Sequence, residues 1–217
     1  MDIARMIDHT RLKPDTSRSD IEQLCKEAIE YGFAAVCVPP FYVQDASRFL
    51  GDAPVKVATV VGFPMGYAHT PAKVEEVKRA VDDGADEIDV VINIAAVKSG
   101  NWAYIKNDIT STTLAAHLKG KIVKIILEIG LLEKEEILQL CEICNAINVD
   151  FVKTSTGMHG TGATITGVTM LRKALNEAIQ IKASGGIRDF SKAEKLIQAG
   201  ATRIGTSQSI KLLQQEV

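Results

Sequence analysis

The chain of 217 residues is poor in aromatic side chains, which make up 5% of it. That scarcity speaks against a stacking platform for nucleic-acid bases. It also lacks an excess of either charge: 25 Lys and Arg stand against 27 Asp and Glu, a formal net charge of −2. Neither nucleic acid nor an anionic membrane surface is an expected partner of so balanced a surface. No apolar run is long enough to span a bilayer, and the opening residues show no signal-peptide pattern. A cytoplasmic location is therefore expected. No G-x-G-x-x-G follows the first strand-like segment, so a dinucleotide site has no support. The four histidines, His9, His69, His117 and His159, stand on separate segments without H-x-H or H-E-x-x-H spacing, and no metal is expected. Cys141 and Cys144 form a C-x-x-C, but it lies inside a helical pattern rather than opening a helix after a strand. Together with Cys25 and Cys37 these read as reduced core thiols.

What the sequence does have is alternation. Short apolar segments are predicted as strands at Ile7–Leu12, Phe33–Val38, Val55–Val61, Glu87–Ile92, Ile122–Glu128, Val149–Thr154, Ile181–Ala183 and Thr202–Gly205. Between them run amphipathic helices, at Ser19–Tyr31 with Ser19 as N-cap, from about Tyr42 to Leu50, and from Thr70 to Asp83 with Thr70 as N-cap and Pro71 in the first turn. Others cover most of Trp102–Leu118, Glu133–Ile147, much of Thr166–Ile179 and Ser191–Ala199, and a terminal helix is predicted over Ser209–Val217. Apolar strands separated by helices imply a parallel sheet covered by helices. Eight such repeats in one domain favour closure into a single (β/α)₈ barrel, a fold that begins near 200 residues. Closure depends on Ile7–Leu12 forming a strand; without it the sheet would be open.

The chemistry is concentrated at Phe151-Val152-Lys153-Thr154-Ser155-Thr156-Gly157, a buried strand ending in lysine, hydroxyls and glycine. The pattern recurs at Ile181-Lys182-Ala183-Ser184-Gly185-Gly186. Burying one ammonium costs several kcal/mol unless it is paired or neutralised. A single such lysine reads equally well as a structural ion pair; two on consecutive strands require a common explanation. Ligands in α/β folds bind at the C-terminal ends of strands. There, strand alternation puts Asp89, Val91 and Asn93 on one face, and Lys124, Ile126 and Glu128 on another. Asp8 sits in the first strand. Each of these polar residues alone fits a barrel layer, but together they describe a pocket of coupled ammonium and carboxylate groups.

Two adjacent lysines suit attack on a carbonyl. A free lysine has a pKa of about 10.4, and nucleophilic attack requires the neutral amine. Bringing that value near 7 takes about 4–5 kcal/mol. A second ammonium roughly 4 Å away, at an effective dielectric near 20, supplies about 4 kcal/mol. The product would be a protonated Schiff base, an electron sink for making or breaking a carbon–carbon bond, with Asp89 and one lysine moving protons. The residues themselves do not say which lysine attacks. Glycine and hydroxyl turns at Gly157, at Ser184-Gly185-Gly186 and at Gly205-Thr206-Ser207 follow the last three strands, where barrels cradle phosphate.

These motifs, with Ile7-Asp8-His9-Thr10, Val36-Cys37-Val38, Gly62-Phe63-Pro64, Glu87–Asn93, Lys182–Arg188 and Gly200–Ser207, run in order over nearly the whole chain. In them the sequence resembles the deoxyribose-phosphate aldolase family, class I aldolases on a (β/α)₈ barrel. The resemblance implies reversible cleavage of 2-deoxy-D-ribose 5-phosphate to acetaldehyde and D-glyceraldehyde 3-phosphate, with no metal or organic cofactor. It implies Lys153 as the Schiff-base nucleophile, and Lys182 as its perturber, sharing proton transfer with Asp89. By the same resemblance, Asp8, Thr10, Cys37 and Lys124 line the pocket, and Gly157, Gly185, Gly186 and Ser207 hold phosphate. Sugar phosphate and aldehydes are the expected partners; members are often homodimers, an assembly this sequence does not fix. Three features depart from the family pattern: Ser207-Gln208-Ser209 after the last strand, Ile129 after Glu128, and an end without the tyrosine some members carry. Two other readings stand beside this one. Another phosphorylated aldehyde on the same chemistry would change the acceptor contacts. A non-catalytic sugar-phosphate binder would have no use for the pair Lys153 and Lys182.

Overall fold

The computed structural model describes residues 2–215. Its eight strands are β1 (Ile7–Thr10), β2 (Ala35–Val38), β3 (Lys56–Val61), β4 (Glu87–Val91), β5 (Ile122–Ile126), β6 (Phe151–Lys153), β7 (Gln180–Ser184) and β8 (Arg203–Thr206). All pair in parallel with their sequence neighbours, and β1 also pairs with β8, with Asp8 opposite Gly205. The first segment therefore is a strand, and the sheet closes into a (β/α)₈ barrel. The helices between strands are α1 (Arg18–Tyr31), α2 (Val43–Leu50), α3 (Thr70–Asp82), α4 (Ile94–Lys98), α5 (Trp102–His117), α6 (Lys134–Ile147), α7 (Ile165–Ala174) and α8 (Phe190–Gln198), followed by α9 (Ser209–Leu213). Among the described residues no helix is long and apolar enough to cross a membrane.

Strand alternation divides the core in two. Residues of one parity, such as Val36, Ile88, Val123, Ile125, Val152, Ile181 and Ile204, point outward and pack with helix residues such as Ile21, Leu24, Ile105, Leu140 and Leu196 in one large apolar layer. Each such side chain, once buried, contributes roughly 1.5–3 kcal/mol. Residues of the other parity fill the barrel. On β2 and β3 these are the small apolar Ala35, Cys37, Ala58 and Val60, with Leu12 and Phe63 packed over them. On the remaining strands they include the charged Asp8, Glu87, Asp89, Lys124, Lys153, Lys182 and Arg203.

Several helix ends differ from expectation, each for a local reason. α1 is capped by Ser17 rather than Ser19, because Asp20 at the third helical position returns a bond to the Ser17 N–H at 2.8 Å and closes a capping box. Thr70 does not cap α3 but lies within it, since its hydroxyl donates to Asp108 Oδ1 at 2.8 Å. Asn93 leaves the barrel face to cap α4, accepting from the Ala96 N–H at 3.1 Å. α7 stops at Ala174, short of Ile179. There the Arg172 guanidinium donates to the carbonyls of Leu175, Asn176 and Ile179 and folds the chain back into β7. The expected terminal helix ends at Leu213, and its Glu216 and Val217 lie outside the described residues. All four cysteines are buried and unbridged. Burial pushes the Cys25 and Cys141 thiols up to about 12, which keeps them protonated and inert.

One buried ion pair lies outside the barrel. Lys73 Nζ donates to Asp108 Oδ2 at 2.7 Å and to the Val91 carbonyl at 2.8 Å, tying α3 and α5 to the end of β4. Both side chains are at most 2% exposed. Removing one partner strands the other charge in the interior. Asp108→Ala is therefore expected to lower unfolding free energy by about 3–5 kcal/mol, measured by equilibrium urea denaturation.

Candidate active site

The inner face of the barrel holds one connected ionic network. Lys124 Nζ lies 2.6 Å from Glu87 Oε2, 2.8 Å from Asp89 Oδ1 and 3.8 Å from Asp8 Oδ2. Lys182 Nζ contacts Asp8 Oδ2 and lies 2.7 Å from Asp89 Oδ2. Lys153 Nζ lies 2.8 Å from that same Asp89 oxygen. Arg203 Nη1 reaches Asp8 Oδ1 at 2.6 Å and Glu87 Oε2 at 2.9 Å. The Phe151 ring packs against this lower part of the network, with the Arg203 guanidinium 5.4 Å and Lys124 Nζ 5.9 Å from its centroid. Three carboxylates thus face four cations, and the cation with the fewest partners is Lys153.

The proton affinities follow from that count. Burial alone would raise the Asp89 and Asp8 pKa values, but the facing cations override it. Asp89, between Lys124, Lys153 and Lys182, is held well below the usual carboxylate range. Asp8 is held low by Lys182, Lys124 and Arg203. Burial also disfavours each ammonium. For Lys182 the attraction of Asp8 and Asp89 more than offsets it, and for Lys124 that of Asp89 and Glu87 does, so both pKa values rise. For Lys153 burial prevails. Its pKa falls, with the neighbouring Lys182 charge acting in the same direction and Asp89 opposing. The spacing of the two lysine strands points to the second lysine as the main cause; in the folded barrel desolvation leads, because Asp89 sits between the two ammonium groups and offsets their repulsion.

Above the network opens a cavity of about 760 Å³, bounded by the turns after β1, β6, β7 and β8. Lys153 lines it, whereas Lys124 and Lys182 do not. Of the residues expected along the pocket wall, Thr10 lines the cavity, and Asp8, Cys37 and Lys124 lie beneath it with no exposed surface. Gly157, Gly185, Gly186 and Ser207 all line it. Gly185 and Gly186 have φ of +90° and +69°, a left-handed pair that only glycine adopts without strain. A Cβ on Gly185 would also meet the Gly162 backbone, at 2.8 Å from its Cα, so the β6 and β7 turns pack backbone against backbone.

Glu128, placed with Lys124 by alternation, leaves the barrel face because β5 ends at Ile126 and Glu128 adopts φ +58°. Its carboxylate accepts the Thr156 N–H at 3.1 Å and the Thr156 hydroxyl, holding the turn beside Lys153. His9 faces outward from β1, His69 precedes α3, and His117 at the end of α5 pairs with Asp150 at 2.8 Å. Glu87 and Arg203 did not stand out in the sequence. The signal was there in their parity, since Glu87 lies two before Asp89, and Arg203 two before the inward Gly205.

A sequence model of the family described as DeoC/LacD family aldolase matches residues 3–209. The chain belongs to the DeoC/LacD aldolase family. Among its relatives is deoxyribose-phosphate aldolase of Thermococcus gammatolerans, 48% identical over 216 residues, which cover 99% of this chain and 96% of the relative. Deoxyribose-phosphate aldolase 1 of Bacillus licheniformis is 49% identical over 211 residues, 97% of this chain and 94% of that one. In structure, this DeoC/LacD aldolase is similar to the tetrameric deoxyribose phosphate aldolase of Aeropyrum pernix. The TM-score is 0.91 at 32% identity, over 98% of this chain and 89% of that one.

The network carries a pH signature. Asp8 and Asp89 bind protons less readily folded than unfolded, so the unfolded state takes up more protons as pH falls. Their contribution is complete above about pH 5 and is lost progressively below it. Denaturant midpoints followed from pH 6 downward are expected to fall steeply for the native chain, and less steeply for Asp89→Asn, which begins less stable.

Proposed function

We propose that this aldolase reversibly cleaves 2-deoxy-D-ribose 5-phosphate to acetaldehyde and D-glyceraldehyde 3-phosphate, with Lys153 as the Schiff-base nucleophile. The observation that carries the assignment is that Lys153 alone of the three barrel lysines lines the cavity, and it alone has a lowered pKa. A neutral amine at the floor of an open site can reach an aldehyde carbon. Lys182 and Lys124 are held by carboxylates and are protonated in the resting site.

The chemistry then proceeds as follows. The Lys153 amine adds to the C1 aldehyde, and the proton it loses passes through Asp89 to the oxygen, giving a carbinolamine; a second proton, supplied by Lys182, lets that hydroxyl leave as water. Asp89 is a weak base while three ammonium groups face it, and gains basicity when Lys153 loses its charge. The resulting iminium draws electrons from the C2–C3 bond. That bond breaks as the C3 hydroxyl gives its proton, by way of Asp89, to the now neutral Lys182, releasing D-glyceraldehyde 3-phosphate and leaving an enamine. Protonation at C2 and hydrolysis free acetaldehyde and restore the amine. Lys182, bonded to the same Asp89 oxygen as Lys153, thus shares proton transfer with Asp89 and carries the positive charge beside the reacting atoms whenever the Lys153 nitrogen is neutral. The iminium itself is the electron sink, and the reaction so written requires no metal or organic cofactor.

The phosphate lies across the cavity, on the turns after β7 and β8. Gly185, Gly186 and Ser207 offer backbone N–H groups there, and Gly157 belongs to the facing turn. Arg188 and Lys211, on the same wall of the cavity, add positive charge. A sugar phosphate spans from this wall to Lys153.

Borohydride reduction in the presence of acetaldehyde is expected to fix an ethyl group on Lys153, located by peptide mass mapping. An adduct on Lys182 instead would exchange the two roles, and no adduct from folded protein would remove the mechanism. The trapping rate is expected to rise with pH and level off below the ordinary lysine value. Asp89→Asn is expected to lower kcat by about 10²–10⁴-fold, measured by coupled detection of D-glyceraldehyde 3-phosphate.

A further inference from the structure

The seam where β1 meets β8 carries a second polar chain, outward of the lysine network, whose His9, Gln23 and Glu27 border the same cavity. His9 stands opposite Thr206 in the pairing of these strands. Alternation sends Asp8 and Thr10 inward and His9 outward. The ring is 5% exposed and lies against Phe33, 5.1 Å between centroids. Nδ1 is 2.8 Å from the Ser209 hydroxyl, and Nε2 is 2.8 Å from Glu27 Oε2. The other Glu27 oxygen accepts from Gln23 at 2.9 Å. Nothing in the proposed reaction uses these groups.

A serine, a histidine and a glutamate in line invite a hydrolytic reading, and the geometry rejects it. Ser209 has no exposed surface. Its partner is Nδ1, whereas a nucleophilic serine is served by Nε2 with the acid on Nδ1. The arrangement orients instead. A carboxylate only accepts, so Nε2–H faces Glu27, and Nδ1 is left to accept the Ser209 hydroxyl proton.

Ser209 opens α9, directly after the turn that follows β8. On the β7 side this turn is held by Thr206 Oγ1, which donates to the Ile187 carbonyl at 2.7 Å and accepts from the Gln208 N–H at 3.0 Å. On the β1 side it is held by Ser209, whose hydroxyl lies 2.8 Å from His9 Nδ1 and 3.3 Å from the Thr206 carbonyl, the shorter contact being the one to His9. The two ties grip the turn from both flanks.

We propose that His9, oriented by Glu27, is a positioning residue that fixes the Thr206–Ser209 turn through the Ser209 hydroxyl, and thereby sets the preference for a phosphorylated sugar over its unphosphorylated counterpart. This rests on the reading of that turn as part of the phosphate site. Backbone donors discriminate only when their supporting groups hold them to a fraction of an ångström. The groups that grip this turn lie outside the reaction path, so their loss falls on phosphate binding and not on the lysine chemistry.

Two substitutions at one position separate this role from general packing. Asn places a polar atom near the site of Nδ1 and none at Nε2; Gln does the reverse. His9→Asn is expected to keep the KM for 2-deoxyribose 5-phosphate near that of the native chain. His9→Gln and Ser209→Ala are expected to raise it about three- to tenfold with kcat unchanged. For unphosphorylated 2-deoxyribose, kcat/KM stays the same in all three. Inorganic phosphate titrated calorimetrically into the same proteins is expected to give the same order of affinities. Because that measurement needs no turnover, it decides the relay even if the native chain cleaves neither sugar, a result that would count against the proposed reaction alone. Equal losses on both sugars, identical behaviour of His9→Asn and His9→Gln, or unchanged phosphate affinity in Ser209→Ala would each overturn the proposal.

Discussion

A single carboxylate, Asp89, holds the site together. Its two oxygens take ammonium groups from β5, β6 and β7, so one side chain on β4 spans half of the barrel. Asp8 does the same for β5, β7 and β8, and Glu87 joins β5 to β8. A buried carboxylate tolerates this setting only while cations surround it, and the cations tolerate it only while the carboxylates remain. Each charge is thus a condition for the others. With three negative groups and four positive ones, the set cannot neutralise itself while fully charged. The imbalance falls on Lys153, which has one partner, lies nearest the opening and shares its acceptor with Lys182. The lowered pKa at that position is the remainder of an otherwise balanced set.

Two neighbouring strands of the barrel have the opposite character. β2 and β3 contribute Ala35, Cys37, Ala58 and Val60, which carry no charge and little volume. The other strands carry the charges, and these two add apolar wall. Burial is the main cause of the lowered Lys153 pKa, and uncharged strands are part of what buries it.

Much of this is legible in the amino-acid sequence. Eight apolar segments separated by amphipathic ones are enough to indicate a parallel sheet under helices, and the doubled lysine strand is enough to indicate carbonyl chemistry. Strand parity even places Asp89 and Lys124 on the inner face. The ranking of effects on Lys153 is not legible, because it depends on Asp89 lying between two lysines contributed by other strands. Glu87 and Arg203 obey the same parity rule but look like ordinary surface charges at strand starts. The departures at Thr70, Asn93 and the end of α7 share one origin. Each rests on a side-chain hydrogen bond that periodicity does not encode: Thr70 to Asp108, Asn93 to the Ala96 N–H of α4, and Arg172 to the carbonyls that follow α7.

The pairing of β1 with β8 has a consequence for how the chain reaches this state. Asp8 and Arg203 are 195 residues apart, and His9 and Ser209 are 200 apart. Ordering contacts so distant in sequence carries a large loop-closure entropy, which makes such pairings late and slow to form. Until β8 is in place, Asp8 and Glu87 lack Arg203, and Lys182 has no sealed interior around it. An unfinished barrel is therefore open at this seam, with Asp8 and Glu87 short of one partner. Closing the sheet brings Arg203 to both carboxylates, so the ionic network is complete only when the first and last strands have met.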